Sequence, residues 1–501
     1  MTIESLKSKY LFLLLIYICY LFFALTYFDW IVDDLYIYFR YASNFANGKG
    51  IVFNDGDHVE GISGLLWMFV LSLYSYSGLS PEFSAKLTGL LSVIFQIFII
   101  FRICLKFKFD LNAFGTCALM LFNLPFIIWS VSGFEIMLYM SIQILIFYLI
   151  LNSDTIKINP FILSLLIFLV TISRPEGILF SVCYLFFVFT VSGDKSYTLK
   201  VSSVYFITLS GLLLFRYFYF GDLLPNTYYA KIGHSIFGSY ELKSYKNGLF
   251  YLKDFFLHNI QFIPLIILIP VSFKFLKKNK FFIFTLTVVL LQFGFVIFAG
   301  GDWMVQYRFI VPAIPYLSVL TFVCLRYLKE KYNFNRYSTA LTSVFFIILM
   351  TISYISEDKS VIKKETVMWN RLKEITPELK KIIPSGSVVA NGSSGIIPFY
   401  LDDVRFIDLV GLTDRHIAKN GYRHGSWFEK SLPEYVYALN PDWIVMWKKK
   451  DSNGVFTFKD ASPCYNDMAM DPEFQKYVIV NSYDLYEDVI IELYRIKQLS
   501  N

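Results

Sequence analysis

Long apolar runs separated by short polar strings fill the first two-thirds of the chain. Runs at residues 10–28, 84–101, 111–129, 134–151, 160–173, 178–193, 201–219, 259–273, 281–299, 309–325 and 338–355 each read as a candidate bilayer helix. A helix of about 20 apolar residues spans a hydrocarbon core of about 30 Å, so the pattern predicts a polytopic α-helical membrane protein with about 11 transmembrane helices. A further stretch, Leu65–Tyr76, is short for a crossing and is expected at the interface or as a re-entrant helix. The first run is long and no small-residue cleavage site follows it, so it is expected to be retained rather than removed as a signal peptide. After Ser356 the pattern changes: 385–392, 404–411, 442–447, 476–483 and 487–496 read as strands, and 361–382 and 426–439 as helices. The expected division is therefore a membrane domain over 1–356 and a small α/β domain over 357–501.

Basic residues orient these runs, because short cytoplasmic loops carry the excess of lysine and arginine. Lys7 and Lys9, Arg102 to Lys108, Lys157, Lys195 and Lys200, Lys274 to Lys280, and Arg326 to Arg336 all fall on one side of an eleven-span arrangement. That side is cytoplasmic, which puts residues 357–501 outside. A composition of 56% hydrophobic and 19% aromatic residues excludes an ordinary water-soluble chain. The net charge of +6 belongs mainly to the cytoplasmic loops and does not suggest nucleic acid. Five of six cysteines lie in or beside the apolar runs, and Cys464 is alone in the external region, so no disulfide is expected there.

With that orientation, five polar strings share the external face: DDLYIYFRYA from Asp33, WSVSGFE (Trp129–Glu135), SRPEG (Ser173–Gly177), GDLLPNTYYAK (Gly221–Lys231) and GGDWMVQYR (Gly300–Arg308). Glycine, proline and asparagine punctuate helices, and tryptophan, tyrosine and arginine anchor interfaces, so each string alone has an ordinary structural explanation. The adjacent acids Asp33 and Asp34 resist that explanation, because neighbouring carboxylates repel and their desolvation beside a bilayer is costly. If the string is helical, Asp33, Tyr36 and Arg40 share one face, with Asp34, Tyr38 and Tyr41 on an adjacent one. NGKG and NDGD then supply turns that fold the loop back.

DDLYIYFRYASNFANGKGIVFNDGDHVEG resembles the first external loop of bacterial polyprenyl-phosphate-dependent glycosyltransferases of the GT-C fold, particularly the cell-wall arabinofuranosyltransferases. WSVSGFE, RPEG, GDLLPNTYYAK, GGDWMVQYRFIVP and DLVGLTDRHIA (Asp408–Ala418) are similar to further signatures of that group, in the same order. The resemblance covers the whole chain, and its first-loop and GGDW matches are the most specific. It implies an integral-membrane transferase at the external face that draws a single sugar from a lipid-phosphate carrier. An acidic residue of the first external loop serves that group as catalytic base, which carries onto Asp33 and Asp34. Leu35 departs from the small residue usual after the pair, a change that bears on pocket shape. The implied sugar is arabinofuranose, and the implied acceptor is an extracytoplasmic glycan, lipopolysaccharide or protein.

Glycosyl transfer needs a base for the acceptor hydroxyl proton, and stabilisation both of oxocarbenium character and of the leaving phosphate. A carboxylate meets the first two needs; Arg40, Arg174, Lys231 and Arg308 are the cationic candidates for the third. Tyr36, Glu135, Glu176, Asn226, Asp302 and Trp303 complete the expected substrate-binding set, with Glu135 and Asp302 as partners for sugar hydroxyls and Glu176 as an alternative partner for Arg174. Asp34 is preferred as base because it neighbours the tyrosine-rich face, and Asp33, aligned with Arg40, is expected to hold the phosphate end. The two acids could hold a divalent magnesium or manganese ion, but the five histidines are scattered and no obligatory cofactor or metal is expected. An O-antigen polymerase or a lipid-sugar flippase or transporter is the alternative. Transporters place ionisable groups within their spans and show repeated halves; neither pattern is present, which leaves the polymerase as the closer alternative. The expected location is the bacterial inner membrane, with residues 357–501 in the periplasm.

Overall fold

The apolar runs become helices wherever no proline or cap interrupts them. The computed structural model describes residues 3–106, 110–153, 156, 158–232, 242–333, 336–423 and 429–497. Among these, five helices are long and apolar enough to cross a bilayer: Ser8–Leu25, Pro81–Lys106, Lys195–Phe220, Lys280–Ala299 and Val311–Tyr332. Up to eight segments qualify if each of three bent helix pairs counts as one. Leu65–Ser75, Ile136–Leu151, Pro160–Ser173 and Gly177–Ser192 are also apolar helices but shorter.

One expected span is broken rather than continuous, and a second is joined at a sharp bend to the helix before it. The run at 111–129 bends by 70° between Ala113–Leu121 and Leu124–Ser130. Asn123 caps the second piece by accepting the Phe126 N–H, and Pro125 sits in its first turn. Proline has no N–H to give the preceding turn, so the helix stops and restarts. The run at 259–273 is preceded by a helix, Leu242–His258, and the two meet at 95°. Lys246, Lys253 and Asp254 interrupt the apolar pattern of that preceding helix, which is why it does not read as a span. Asn259 marks the second break, and Asn123 Nδ2 donates to its Oδ1 at 2.6 Å, so the two interruptions satisfy one another.

The chain divides into two compact units: Met1–Asp29 with Glu82–Leu209 and Tyr240–Lys359, and Trp30–Pro81 with Ser210–Ser239 and Ser360–Asn501. The second unit carries the strands β1 (Val388–Asn391), β2 (Arg405–Asp408), β3 (Tyr422–Arg423), β4 (Lys430–Ser431), β5 (Trp443–Lys450), β6 (Phe456–Thr457), β7 (Tyr477–Tyr486) and β8 (Val489–Ile496). The main sheet has the order β2-β1-β5-β8-β7, with β6 on β5. β1 runs parallel to β2 and β5, so that Asn391 stands opposite Asp408 and Val445. β8 is antiparallel to both of its neighbours. Val389, Ala390, Phe406, Ile407, Ile444, Met446, Ile491 and Leu493 are buried, as strands covered by helices require.

All five expected strands form, and so does the helix expected at 361–382, as Ser360–Ile382. The helix expected at 426–439 is shorter: residues 424–428 lie outside the described set, Lys430–Ser431 pairs with β3, and the helix is Pro433–Ala438. Pro433 begins the helix, because proline is tolerated in a first turn and not in an interior. The first-loop string is helical, as Asp34–Ala46. Asn47 closes it and Gly48 takes φ +77°, a left-handed geometry that suits glycine.

Candidate functional site

Asp33 caps the start of the first-loop helix but does not spend its carboxylate there. Its Oδ2 accepts the Gly395 N–H at 3.0 Å, from the end of the turn ANGSSG after β1, and its Oδ1 the N–H of Ile396 at 2.7 Å, the first residue of the helix Ile396–Tyr400. The side chain is 6% exposed. Burial, and to a lesser degree the charge of Asp34, push its carboxyl up to about 7, against the pull of the two amides. Asp34, the first residue of the helix, is half-buried.

Arg40 is two turns further along the same face, and its guanidinium is committed to backbone. Nε donates to the Phe53 carbonyl at 2.8 Å, Nη1 to those of Pro398 and Leu401, and Nη2 to that of Val404 at 3.0 Å. Tyr36, between them on that face, is fully buried with its ring against Phe39, Phe399 and Tyr400. The expected alignment of Asp33, Tyr36 and Arg40 is thus present, but it grips the segment 393–404. The tyrosines beside Asp34 are engaged too: Tyr41 donates to the Val59 carbonyl at 2.6 Å and accepts the Gly61 N–H at 2.9 Å.

The string GDLLPNTYYAK meets DLVGLTDRHIA in the same unit. Asn226 Nδ2 donates to the carbonyls of Gly411, Leu412 and Asp414, while its own N–H bonds to the Glu60 carbonyl. Asp222 receives Arg415 and Lys419. Asp408, at the end of β2, accepts the Val410 and Thr413 amides at 3.0 and 2.7 Å, and burial raises its pKa. Lys231 is exposed in the last turn of the Asn226–Ile232 helix.

The other three strings come together in the first unit. Glu135, Arg174 and Glu176 each stand at a helix end, and the glutamates turn to the arginine instead of capping. Arg174 Nη1 reaches Glu135 Oε1 and its Nε reaches Glu176 Oε1, each at 2.5 Å. The pairing of Arg174 with Glu176 follows the spacing in SRPEG; Glu135 joins from another helix. Asp302 and Arg308 form a second, bidentate pair. The two arginines flank the Phe309 ring, with Cζ at 5.9 Å for Arg174 and 5.0 Å for Arg308. Five buried charges, three acids and two arginines, are therefore gathered around one aromatic side chain. The Oε2 atoms of Glu135 and Glu176 have no hydrogen-bond partner among the described residues. Trp303, by contrast, is exposed.

Sequence reasoning passed over two arrangements. Glu60, inside the first-loop match, forms a fork with Arg216, Nε to Oε2 at 2.9 Å and Nη2 to Oε1 at 2.8 Å. Glu365 accepts the Trp30 indole N–H at 3.0 Å. The ANGSSG turn has the glycines of a phosphate loop without its lysine or its spacing, and the Gly395 amide meets the Asp33 carboxylate instead. Among the described residues no three histidine, cysteine or acidic side chains are grouped as metal ligands. Asp33 and Asp34 are adjacent acids, and both Asp33 oxygens already accept amide hydrogens.

Residues 362–494 match a family described as a domain of unknown function, DUF8728. No curated protein matches the chain. Among solved structures, the chain is similar to ArnT from Cupriavidus metallidurans bound to undecaprenyl phosphate, with a TM-score of 0.56 at 13% identity, over 96% of this chain and 98% of that one. The apo state of the same protein aligns with a TM-score of 0.55 at 13% identity, over 97% and 98% of the two chains. The likeness runs end to end, and the chain has the GT-C fold that its external strings imply.

Proposed function

We propose that this chain is a membrane glycosyltransferase that moves a single sugar from a polyprenyl-phosphate donor to an extracytoplasmic acceptor. The observation that carries the reading is the end-to-end likeness to a structure that holds undecaprenyl phosphate, in a chain whose first loop presents adjacent acids. Arabinofuranose is the proposed sugar, and a glycan, lipopolysaccharide or protein hydroxyl the proposed acceptor, in the periplasm of a bacterial inner-membrane enzyme.

Asp34 is the proposed base. It is half-buried where Asp33 is enclosed, and a base must reach the hydroxyl it deprotonates. Its carboxylate takes the acceptor proton as the acceptor oxygen bonds to the anomeric carbon. The bond from that carbon to the phosphate oxygen breaks, and polyprenyl phosphate leaves with the electron pair. Arg308 and Arg174 are the cations that the first unit offers to a phosphate, and the glutamates beside Arg174 are acceptors of the kind sugar hydroxyls require. No metal is needed for these roles, so turnover should survive chelation of magnesium and manganese.

The test follows sugar transfer from a synthetic polyprenyl-phosphate donor with purified protein. Asp34→Asn keeps size and removes basicity, and loss of general-base assistance costs about 10²- to 10⁴-fold in rate. Near-normal turnover in a well-folded Asp34→Asn protein would return the acid pair to helix-end structure.

A further inference from the structure

We infer that the segment Ser393–Val404 is a positioning element for the first-loop base, and that Asp33 is the residue through which it acts. The inference rests on the reading of Asp34 as base, and it gives a catalytic task to part of the region that matches a domain of unknown function.

One helix face is fastened to this segment at three successive levels. Asp33 takes the Gly395 and Ile396 amides, one on each carboxylate oxygen. One turn on, the Tyr36 and Phe39 rings pack on Phe399, with centroids 5.5 and 5.8 Å away. A further turn on, Arg40 donates to the carbonyls of Pro398, Leu401 and Val404. Docking at three heights fixes both the rotation and the translation of a helix only 13 residues long. Asp34 is its first residue, so its direction is set by the same contacts.

Gly395 shows that the approach is close. A methyl group there would overlap the Asp33 carbonyl oxygen and its carboxyl carbon, so no residue with a Cβ fits without displacing Asp33. Asp33 is itself a poor base, because both of its oxygens already accept backbone hydrogens in an enclosed site. Its value to the reaction lies in where it leaves its neighbour. Misplacement of a reacting group by about 1 Å can cost about 10²-fold in rate.

The experiment compares Gly395→Ala and Asp33→Asn, alone and combined with Asp34→Asn, in the full-length purified protein. Asp33→Asn exchanges one acceptor oxygen for a donor facing an amide N–H, and Gly395→Ala pushes away the Asp33 backbone carbonyl and with it the carboxylate, without touching its charge. Each single variant should lose about 10²-fold in kcat, with donor KM unchanged and melting still cooperative. Neither should lower the residual rate of Asp34→Asn further, because a base that is absent cannot be misplaced. Normal kcat in both single variants, with Asp34→Asn inactive, overturns the positioning role alone. So does a loss that multiplies undiminished on the Asp34→Asn background, which marks general damage to the fold. Full turnover of Asp34→Asn refutes instead the base assignment beneath the inference.

Discussion

Arg308 holds Asp302 through two parallel hydrogen bonds, Nε to Oδ2 at 2.6 Å and Nη2 to Oδ1 at 2.9 Å. The pair lies within the string GGDWMVQYR, and the guanidinium also stands over the Trp129 and Phe309 rings at 5.9 and 5.0 Å. A phosphate that binds Arg308 must therefore share a cation already held on one edge by a carboxylate. Such sharing orients the fork, and it makes the arginine structural as well as electrostatic.

Arg308→Ala should accordingly show two separable effects. Breaking a buried pair leaves Asp302 uncompensated, which costs about 3 to 5 kcal/mol of stability, and donor use should weaken as well. Adding Asp302→Asn should restore much of the melting temperature and none of the donor affinity. Arg308→Lys should recover only part of either, since an ammonium lacks the planar fork. A stabilised double variant with wild-type donor KM would show that Arg308 serves Asp302 alone.

Arg40 should behave differently, although it sits in the string with the acid pair. Its removal takes the guanidinium from the carbonyls of Pro398 and Val404 and leaves those of Phe53 and Leu401 with the Asn44 amide and the Val404 N–H as donors, and an unmet buried group costs about 1 to 3 kcal/mol. Arg40→Ala is expected to lower the melting temperature strongly while the folded fraction keeps its donor KM. Arg40→Lys should recover little, because one ammonium cannot reach a ring of four acceptors. A raised donor KM with unchanged melting would instead identify Arg40 as a phosphate ligand.

These contrasts mark where the sequence could be read. Helices and strands follow from local periodicity, so Asp34–Ala46 and the five expected strands were visible from their own residues. The pairing of Arg174 with Glu176 lay two residues apart and was visible too. The break at Asn123 is written in the residues Asn-Leu-Pro, a capping residue and a proline inside an apolar run, whose turn signal yields to hydrophobicity in any count of apolar length. Asp33 and Gly395, by contrast, are 362 residues apart, and Glu60 and Arg216 are 156 apart. No local pattern encodes such a match, because its physical cause is the closure of the chain around both partners. Arg40 could thus be recognised as a cation in a functional string, while its choice of carbonyl oxygens over phosphate could not.

The expected orientation has its own test, founded on Lys274, Lys277, Lys278 and Lys280 and on Arg326, Lys329, Lys331 and Arg336 as cytoplasmic clusters. A reporter joined after Ser356 should be active only when it requires export, and one joined after Lys280 only when it requires the cytoplasm. The reverse pattern would put the acid pair on the wrong side for an external lipid-linked donor.

The last prediction concerns Glu365, whose Oε2 accepts the indole hydrogen of the buried Trp30 at 3.0 Å. Burial pushes its carboxyl up from 4.5 to about 7, against the opposing pull of the indole. The sign of the consequence follows from proton counting. Between those values the folded protein holds a proton that the unfolded chain has released, so stability falls as pH rises through the window. Below it both states are protonated and the penalty vanishes; above it both are ionised and the penalty is constant and complete. Glu365→Gln keeps an oxygen for Trp30 and removes the ionisation. The variant should therefore melt like the wild type at pH 4.5 and above it at pH 8, with the gap opening across the window set by the shifted carboxyl. Asp33 titrates in the same range but is present in both proteins, so its contribution cancels in the difference. Apparent melting temperatures taken at one scan rate, at the two ends of the window, decide the matter. An equal gap at both would mean that burial does not raise the Glu365 carboxyl above its unfolded value.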